Sequence, residues 1–255
     1  METNTKSKMI RSLVPTYILN GRFRELEQGL DGLIERGDDE TLEIINRTLA
    51  RPENLSLLIE GICGSKDMLD RTVASSYYHE NGFHKIVLLS GRMFKLRLHH
   101  FGVTAKIPME NIHDHRWCFA STILSGELNM DLFTVSEKGS RTEKAYHFIY
   151  ESDKSGGSYR TDFVSVAHLR KSESRTYVTG DTYLMRTHEL HRIRNKPGRE
   201  SVTLILTGKP VGSRCNLYSR REKILEEEKQ TVAYDRNVLV RMLGSLSEKV
   251  YPKRN

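Results

Sequence analysis

Cysteine is scarce in this chain of 255 residues: Cys63, Cys118 and Cys215 are widely spaced, odd in number and free of any C-x-x-C pair. Such a set excludes a disulfide framework and a thiolate zinc site, and it fits a reducing compartment. Long apolar runs are also missing, none approaching the ~20 residues that a bilayer-spanning helix needs. The first residues, Met-Glu-Thr-Asn-Thr-Lys-Ser-Lys, are polar and lead into no signal-like apolar segment. A cytoplasmic protein without a membrane partner is expected. Internal repeats and low-complexity tracts are absent too, which argues against disordered and fibrous classes.

What is present reads as an ordinary globular protein, 37% hydrophobic and 29% charged. The length allows one substantial core, or one core with a helical annex. A net charge of +7 invites a nucleic-acid reading, but the basic residues are scattered among acidic ones. Arg220-Arg221-Glu222-Lys223, for example, is followed by Glu226-Glu227-Glu228. Nucleic acid is therefore not the expected partner; the positive field suits an anionic small molecule.

Apolar periodicity divides the chain. Phe23, Leu26, Leu30, Leu33 and Ile34 share one helical face that Gly37 ends, and Leu42, Ile45 and Leu49 follow Asp38-Asp39 up to Pro52. Leu55, Leu58 and Ile59 mark a third short helix. From about Phe83 to Thr207 short β-branched and aromatic runs alternate with polar residues: 85–89, 94–98, 118–124, 128–135, 145–150, 163–169, 182–185 and 202–206. Many short strands with Gly turns predict an antiparallel sandwich or barrel. Ser155-Gly156-Gly157-Ser158 reads as a loop tip. After Pro210 a return to helix is expected, burying Leu225, Val232, Val238, Leu239, Met242, Leu243 and Leu246. The expected fold is mainly β: a helical extension over 1–80, a β-barrel over 81–210 and a helical segment over 211–255.

Histidine carries the chemistry. In Ile112-His113-Asp114-His115-Arg116-Trp117 a period of two puts His113 and His115 on one strand face, with Asp114 turned the other way to brace a neighbouring loop. Two imidazoles so placed hold a metal if a third ligand arrives from an adjacent strand. Farther on lies Gly180-Asp181-Thr182-Tyr183-Leu184-Met185-Arg186-Thr187-His188-Glu189-Leu190-His191-Arg192-Ile193-Arg194-Asn195. This segment resembles the second motif of the cupins, with Gly180, His191 and Asn195 in register, Arg186 at the usual Pro and His188 at the usual second Gly. The first cupin motif is similar to the stretch from His113 and His115 to Gly126, except that Phe119 occupies the Glu position.

The resemblance implies a cupin-type antiparallel barrel, the double-stranded β-helix, with flanking N- and C-terminal helices and metal ligands His113, His115 and His191. Without the Glu the implied shell is three neutral imidazoles, as in the cysteine dioxygenase-like cupins. The chain is similar to those at Ile112–His115, Leu124–Leu128 and Leu190–Asn195, within a likeness over roughly residues 40 to 210. That family carries Ser-x-His-x-Tyr where this chain has Thr203-Leu204-Ile205-Leu206-Thr207. Cys118 lies near the family's crosslinked Cys, but its Tyr partner is missing, so free cysteine is not the expected substrate. Tyr77-Tyr78-His79-Glu80 lies near the place of the family's carboxylate-binding Arg. Cupins often pair through outer strands and terminal helices, which implies a homodimer.

Around the ligands, Trp117 continues the face of His113 and His115 and either walls the pocket or belongs to the core. Tyr183 is a hydrogen-bonding candidate for a metal-bound ligand, or a plain buried strand Tyr. Arg97 shares a face with His99 and is the candidate anion-binding group if that face points inward. His188, beside His191, supports the site or sits in solvent. The expected function is a non-haem Fe(II) dioxygenase acting with O₂ on a small amino acid, thiol or carboxylate. Alternatives are a Zn, Mn or Ni cupin isomerase, lyase or hydrolase, and a regulatory barrel without turnover.

Overall fold

The structure, a computed structural model, describes residues 2–79, 81–103, 110–152, 159–222 and 234–250. Five helices come first: α1 (Glu2–Leu19), α2 (Phe23–Arg36), α3 (Asp39–Leu49), α4 (Pro52–Gly64) and α5 (Lys66–Ser75). Twelve strands follow among the described residues: β1 (Tyr77–His79), β2 (Phe83–Ser90), β3 (Lys95–Phe101), β4 (Ile112–His113), β5 (Phe119–Ser125), β6 (Glu127–Ser136), β7 (Glu143–Ser152), β8 (Tyr159–Val178), β9 (Thr182–Met185), β10 (Leu190–Ile193), β11 (Ser201–Thr207) and β12 (Arg214–Ser219). Helix α6 (Arg236–Val250) closes the chain's described part.

The predicted helical stripes form as read. Phe23, Leu26, Leu30, Leu33 and Ile34 are all buried on α2. Asp38 caps α3, its carboxylate accepting from the Thr41 amide at 3.0 Å while the Thr41 hydroxyl returns to the Asp38 amide. Pro52 does more than stop α3: it opens α4, where its missing N–H costs nothing. On α6, Leu239, Leu243 and Leu246 are buried, whereas Val238, expected inside, is exposed.

The strands make two antiparallel sheets. The first runs β1-β2-β3-β11-β5-β9; the second runs β10-β4-β12-β7-β8-β6, with β6 pairing back onto β10. The outer face of the first sheet (Ile86, Leu88, Leu96, Leu98, Val202, Leu204, Leu206) packs on the helices in the main core. Its inner face meets the second sheet through Phe119, Ile123, Tyr183 and Met185 against Leu128 and Met130. Alternation along each strand thus feeds two different cores. Buried Asn46 locks helix to sheet, donating Nδ2 to the Leu204 carbonyl at 3.0 Å and accepting from Thr122 Oγ1 at 2.5 Å. This strand order, with helices on one face, is the cupin-type double-stranded β-helix.

Several boundaries move. Residues 214–219 are a strand rather than the start of a helix, because Cys215, Leu217 and Tyr218 find β7 on one side and β4 on the other. Strand β8 extends to Val178, well past Leu169, since pairing with β6 gives the polar 170–178 run the backbone partners its side chains do not announce. Tyr77–His79 pair with β2 instead of ending a helix. The Ser155–Ser158 loop tip, Leu225, Val232 and Glu80 lie outside the described residues.

Gly126, at the turn from β5 to β6, has φ +83°, and a Cβ there would lie 2.2 Å from the Glu200 carbonyl oxygen. Gly126→Ala should cost about 2 kcal/mol, from the left-handed backbone alone and the added clash. A thermal melt should show a fall of roughly 4–8 °C; an unchanged midpoint would contradict this reading of the turn.

Candidate metal centre

Two short strands position the ligands. His113 ends β4 and pairs with His191 of β10 on one side and with Leu217 of β12 on the other. His115 lies past the end of β4, so the period of two does not continue as a strand, but its ring still turns to the same place. Ring centroids are 4.5 Å apart for His113 and His191, 4.9 Å for His113 and His115, and 5.0 Å for His115 and His191. One ligand nitrogen from each lies within 4.8 Å of the other two, which fits a shared metal ion.

Hydrogen bonds settle which nitrogens are available. His113 Nδ1 lies 3.0 Å from the Asn111 carbonyl and His191 Nδ1 3.0 Å from the Glu189 carbonyl. A carbonyl only accepts, so both Nδ1 atoms carry the proton and both Nε2 lone pairs face inward, the arrangement in which imidazoles bind metals. Burial, then the neighbouring His113, lowers the His191 pKa from 6.5 to about 3, against the Glu189 carbonyl, which pulls it up. His115 is also held well below its ordinary value, first by burial and then by His113, His191, Arg97 and Lys85. Both shifts keep His115 and His191 neutral, as ligation requires.

The unfolded chain takes up a proton at His191 near pH 6.5, the native protein only near about 3. Between these values the unfolded state binds more protons, so native stability is lost as pH falls from about 6.5 toward 3 and is regained on raising it. The midpoint of EDTA-treated wild type should therefore drop more steeply across this window than that of His191→Ala. Parallel slopes would show that His191 is not buried neutral.

The surrounding residues divide. Trp117 stacks on His115 at 5.8 Å, and its ring is flanked by the guanidinium carbons of Arg97 at 5.4 Å and Arg116 at 5.0 Å. Phe119, at the position where cupins carry Glu, packs edge-on to His115 at 5.2 Å and lies 6.4 Å from His191. An apolar ring thus stands at the position where the resemblance to the first cupin motif implies a carboxylate ligand. Tyr183 touches Phe119 and stacks on Tyr177 at 4.4 Å, its phenol pushed up by burial. It stands one ring removed from the imidazoles. His99 faces inward with Arg97, packed on Phe83 at 4.6 Å, while His100 turns out to Glu200.

Asp114 faces away from the ligands as expected. It is 1% exposed and accepts from the Asn216 amide and the Asn216 side chain, both at 2.6 Å, with His188 Nδ1 at 3.3 Å. His188 is exposed, has φ +67°, and donates its backbone N–H to the His115 carbonyl. It ties the two motif segments together rather than joining the imidazole cluster. Lys85 and Thr203 line the same interior and were not singled out by the sequence. Their signal was alternation: Ile86 and Leu88 belong to the helix-facing core, which leaves Lys85 on the opposite face.

Fold and site together define a cupin-type β-barrel with a three-histidine cluster suited to a metal ion. The chain is similar in structure to an RmlC-like cupin from Shewanella frigidimarina, at 12% identity over 54% of this chain and 85% of that one, TM-score 0.32. It is also similar to a hydroquinone 1,2-dioxygenase from a Sphingomonas species with 4-hydroxybenzoate bound, at 8% identity over 56% and 73% of the two chains, TM-score 0.33. A DMSP lyase from Ruegeria pomeroyi matches at 13% identity over 56% and 57%, TM-score 0.32. No protein-family model and no curated protein sequence matches the chain. Likenesses this distant leave activity to be read from the site. Among the described residues no helix is long and apolar enough to cross a membrane.

Proposed function

We propose that the protein is a non-haem Fe(II) dioxygenase in which His113, His115 and His191 hold the metal and a small polar substrate binds inside the barrel. The observation that carries this reading is the trio of clustered imidazoles, with the Nε2 of His113 and of His191 left free by their Nδ1 hydrogen bonds and no carboxylate in the cluster among the described residues. When bound, ferrous iron supplies Lewis acidity and the electrons for O₂ chemistry, with its charge left whole by three neutral ligands. The chain's own residues do the rest. Trp117 and Phe119 keep water from the ligand rings, and the Arg97 guanidinium, held against Trp117, orients an anionic group of the substrate. Tyr183, neutral and one ring away, shapes the wall behind Phe119.

Three imidazoles also suit Zn, Ni or Mn, so a Lewis-acid isomerase, lyase or hydrolase is the second reading. Oxygen uptake separates the two. Protein reconstituted anaerobically with ferrous ion should consume O₂ with at least one of a panel of amino acids, thiols and carboxylates, and zinc-loaded protein should not. Turnover of the panel with zinc but without O₂ would replace the dioxygenase reading with the second one.

A further inference from the structure

The inner face of the first sheet carries a group of polar side chains that ligation of a metal does not use. Lys85 of β2 pairs in register with His99 of β3, and His99 with Thr203 of β11, so all three side chains stand in one row across the sheet. Ile123 continues the row into the cluster between the sheets, which fixes the row's direction as inward. Arg97 stands one step along on the same face, a diagonal neighbour of Lys85.

Three observations make this row unusual. The Lys85 ammonium contacts the Tyr77 hydroxyl at 2.7 Å and lies 4.8 Å from the Tyr77 ring centre, and among the described residues no carboxylate is within ion-pairing reach of it. Burial, then Arg97 and Lys95, pull its pKa well below the ordinary value. Thr203 is 2% exposed, and among the described residues neither its Oγ1 nor the buried Nε2 of His99 has a hydrogen-bond partner. Buried polar atoms are nearly always satisfied, and an amine taken out of water beside a second cation is costly without an anion.

We infer that Lys85, Thr203 and His99, with Arg97 at the edge, form a carboxylate-binding station inside the barrel, and that the substrate is therefore a small organic acid. The ammonium supplies the charge, and the Thr203 hydroxyl and a His99 ring carrying its proton on Nε2 supply two further donors. Three donors on one sheet face suit the two oxygens of a carboxylate better than a tetrahedral phosphate. The inference deepens the proposed function by naming its substrate class, and it rests on the barrel interior being the substrate site, whichever metal the histidines take.

The test uses the full chain after EDTA treatment, with acetate, malonate and succinate titrated at fixed ionic strength against chloride, phosphate and neutral acetamide. At least one carboxylate should raise the melting midpoint by about 3–6 °C at ten times its Kd, and acetamide should not. Lys85→Met should weaken that carboxylate at least tenfold, Lys85→Arg less, and Lys138→Met, at an exposed lysine away from the station, not at all. If Lys85→Met does not fold, the near-isosteric Thr203→Val carries the test through a severalfold loss. No carboxylate effect beyond chloride, an equal response in the variants, or binding of phosphate alone would overturn the station. Because metal is absent, His191→Ala should still bind the carboxylate. A wild type that takes up metal but not carboxylate would refute the station and leave the metal reading standing.

Discussion

His191→Ala should weaken metal binding by about a hundredfold or more while leaving the fold intact. A four-ligand site is worth about 10–16 kcal/mol, so one imidazole accounts for on the order of 3 kcal/mol. His191 is the ligand that joins the two motif segments, since β10 pairs with β4 at His191 and His113 and with β6 at Leu132. Alanine keeps those backbone pairings and removes only the ring. The variant should therefore melt cooperatively, bind less than about a tenth of the wild-type metal after gel filtration, and lose any metal-dependent gain in its midpoint. His113→Ala should behave alike. His188→Ala, which removes an exposed ring outside the cluster, should keep its metal. A His191→Ala protein with wild-type affinity would show that the trio is only a packed histidine cluster.

Asp114→Ala should be the most destabilising substitution near the site. The carboxylate is 1% exposed and joins β4 to β12 through two bonds from Asn216, with His188 beside it. Removing it strands buried donors and deletes charge-assisted bonds, a loss of about 3 kcal/mol or more. In a chain of this length the midpoint should fall by roughly 6–12 °C. Asp114→Asn keeps the volume but turns an NH₂ toward Asn216 donors, and should recover only part of the loss. Because Asp114 lies between His113 and His115, metal affinity should fall as well, by about 10–100-fold, the range typical of groups that orient ligands. Calorimetry with metal titration checks both; a shift under 2 °C would contradict the bracing role.

The sequence and the structure agree best where chemistry and periodicity reinforce each other. The clustering of His113, His115 and His191 was legible because an H-x-H stretch and a third His at cupin spacing leave few other arrangements, even though the strand ends at His113. The helix stripes from Phe23 to Ile59 were legible because Leu and Ile repeat at helical spacing against a real core. What escaped was pairing over long separations. Strand β12 carries Arg214, Asn216 and Ser219, too polar to announce itself, and it exists because β4 and β7 supply backbone partners from about a hundred and about seventy residues earlier in the chain. Polar 170–178 became strand for the same reason. Lys85 was passed over because a lysine at a strand position is normally solvated, and only the register with His99 and Thr203 turns it inward.

The most direct test of the central claim is elemental analysis of wild-type protein purified without a metal-binding tag. The account predicts close to one divalent ion per chain, in the protein as isolated or after anaerobic reconstitution with ferrous ion, and none in a His113→Ala/His191→Ala variant that still melts cooperatively. A wild type that takes up no ferrous, zinc, manganese or nickel ion under these conditions, while folded, would contradict a metal centre at these three histidines.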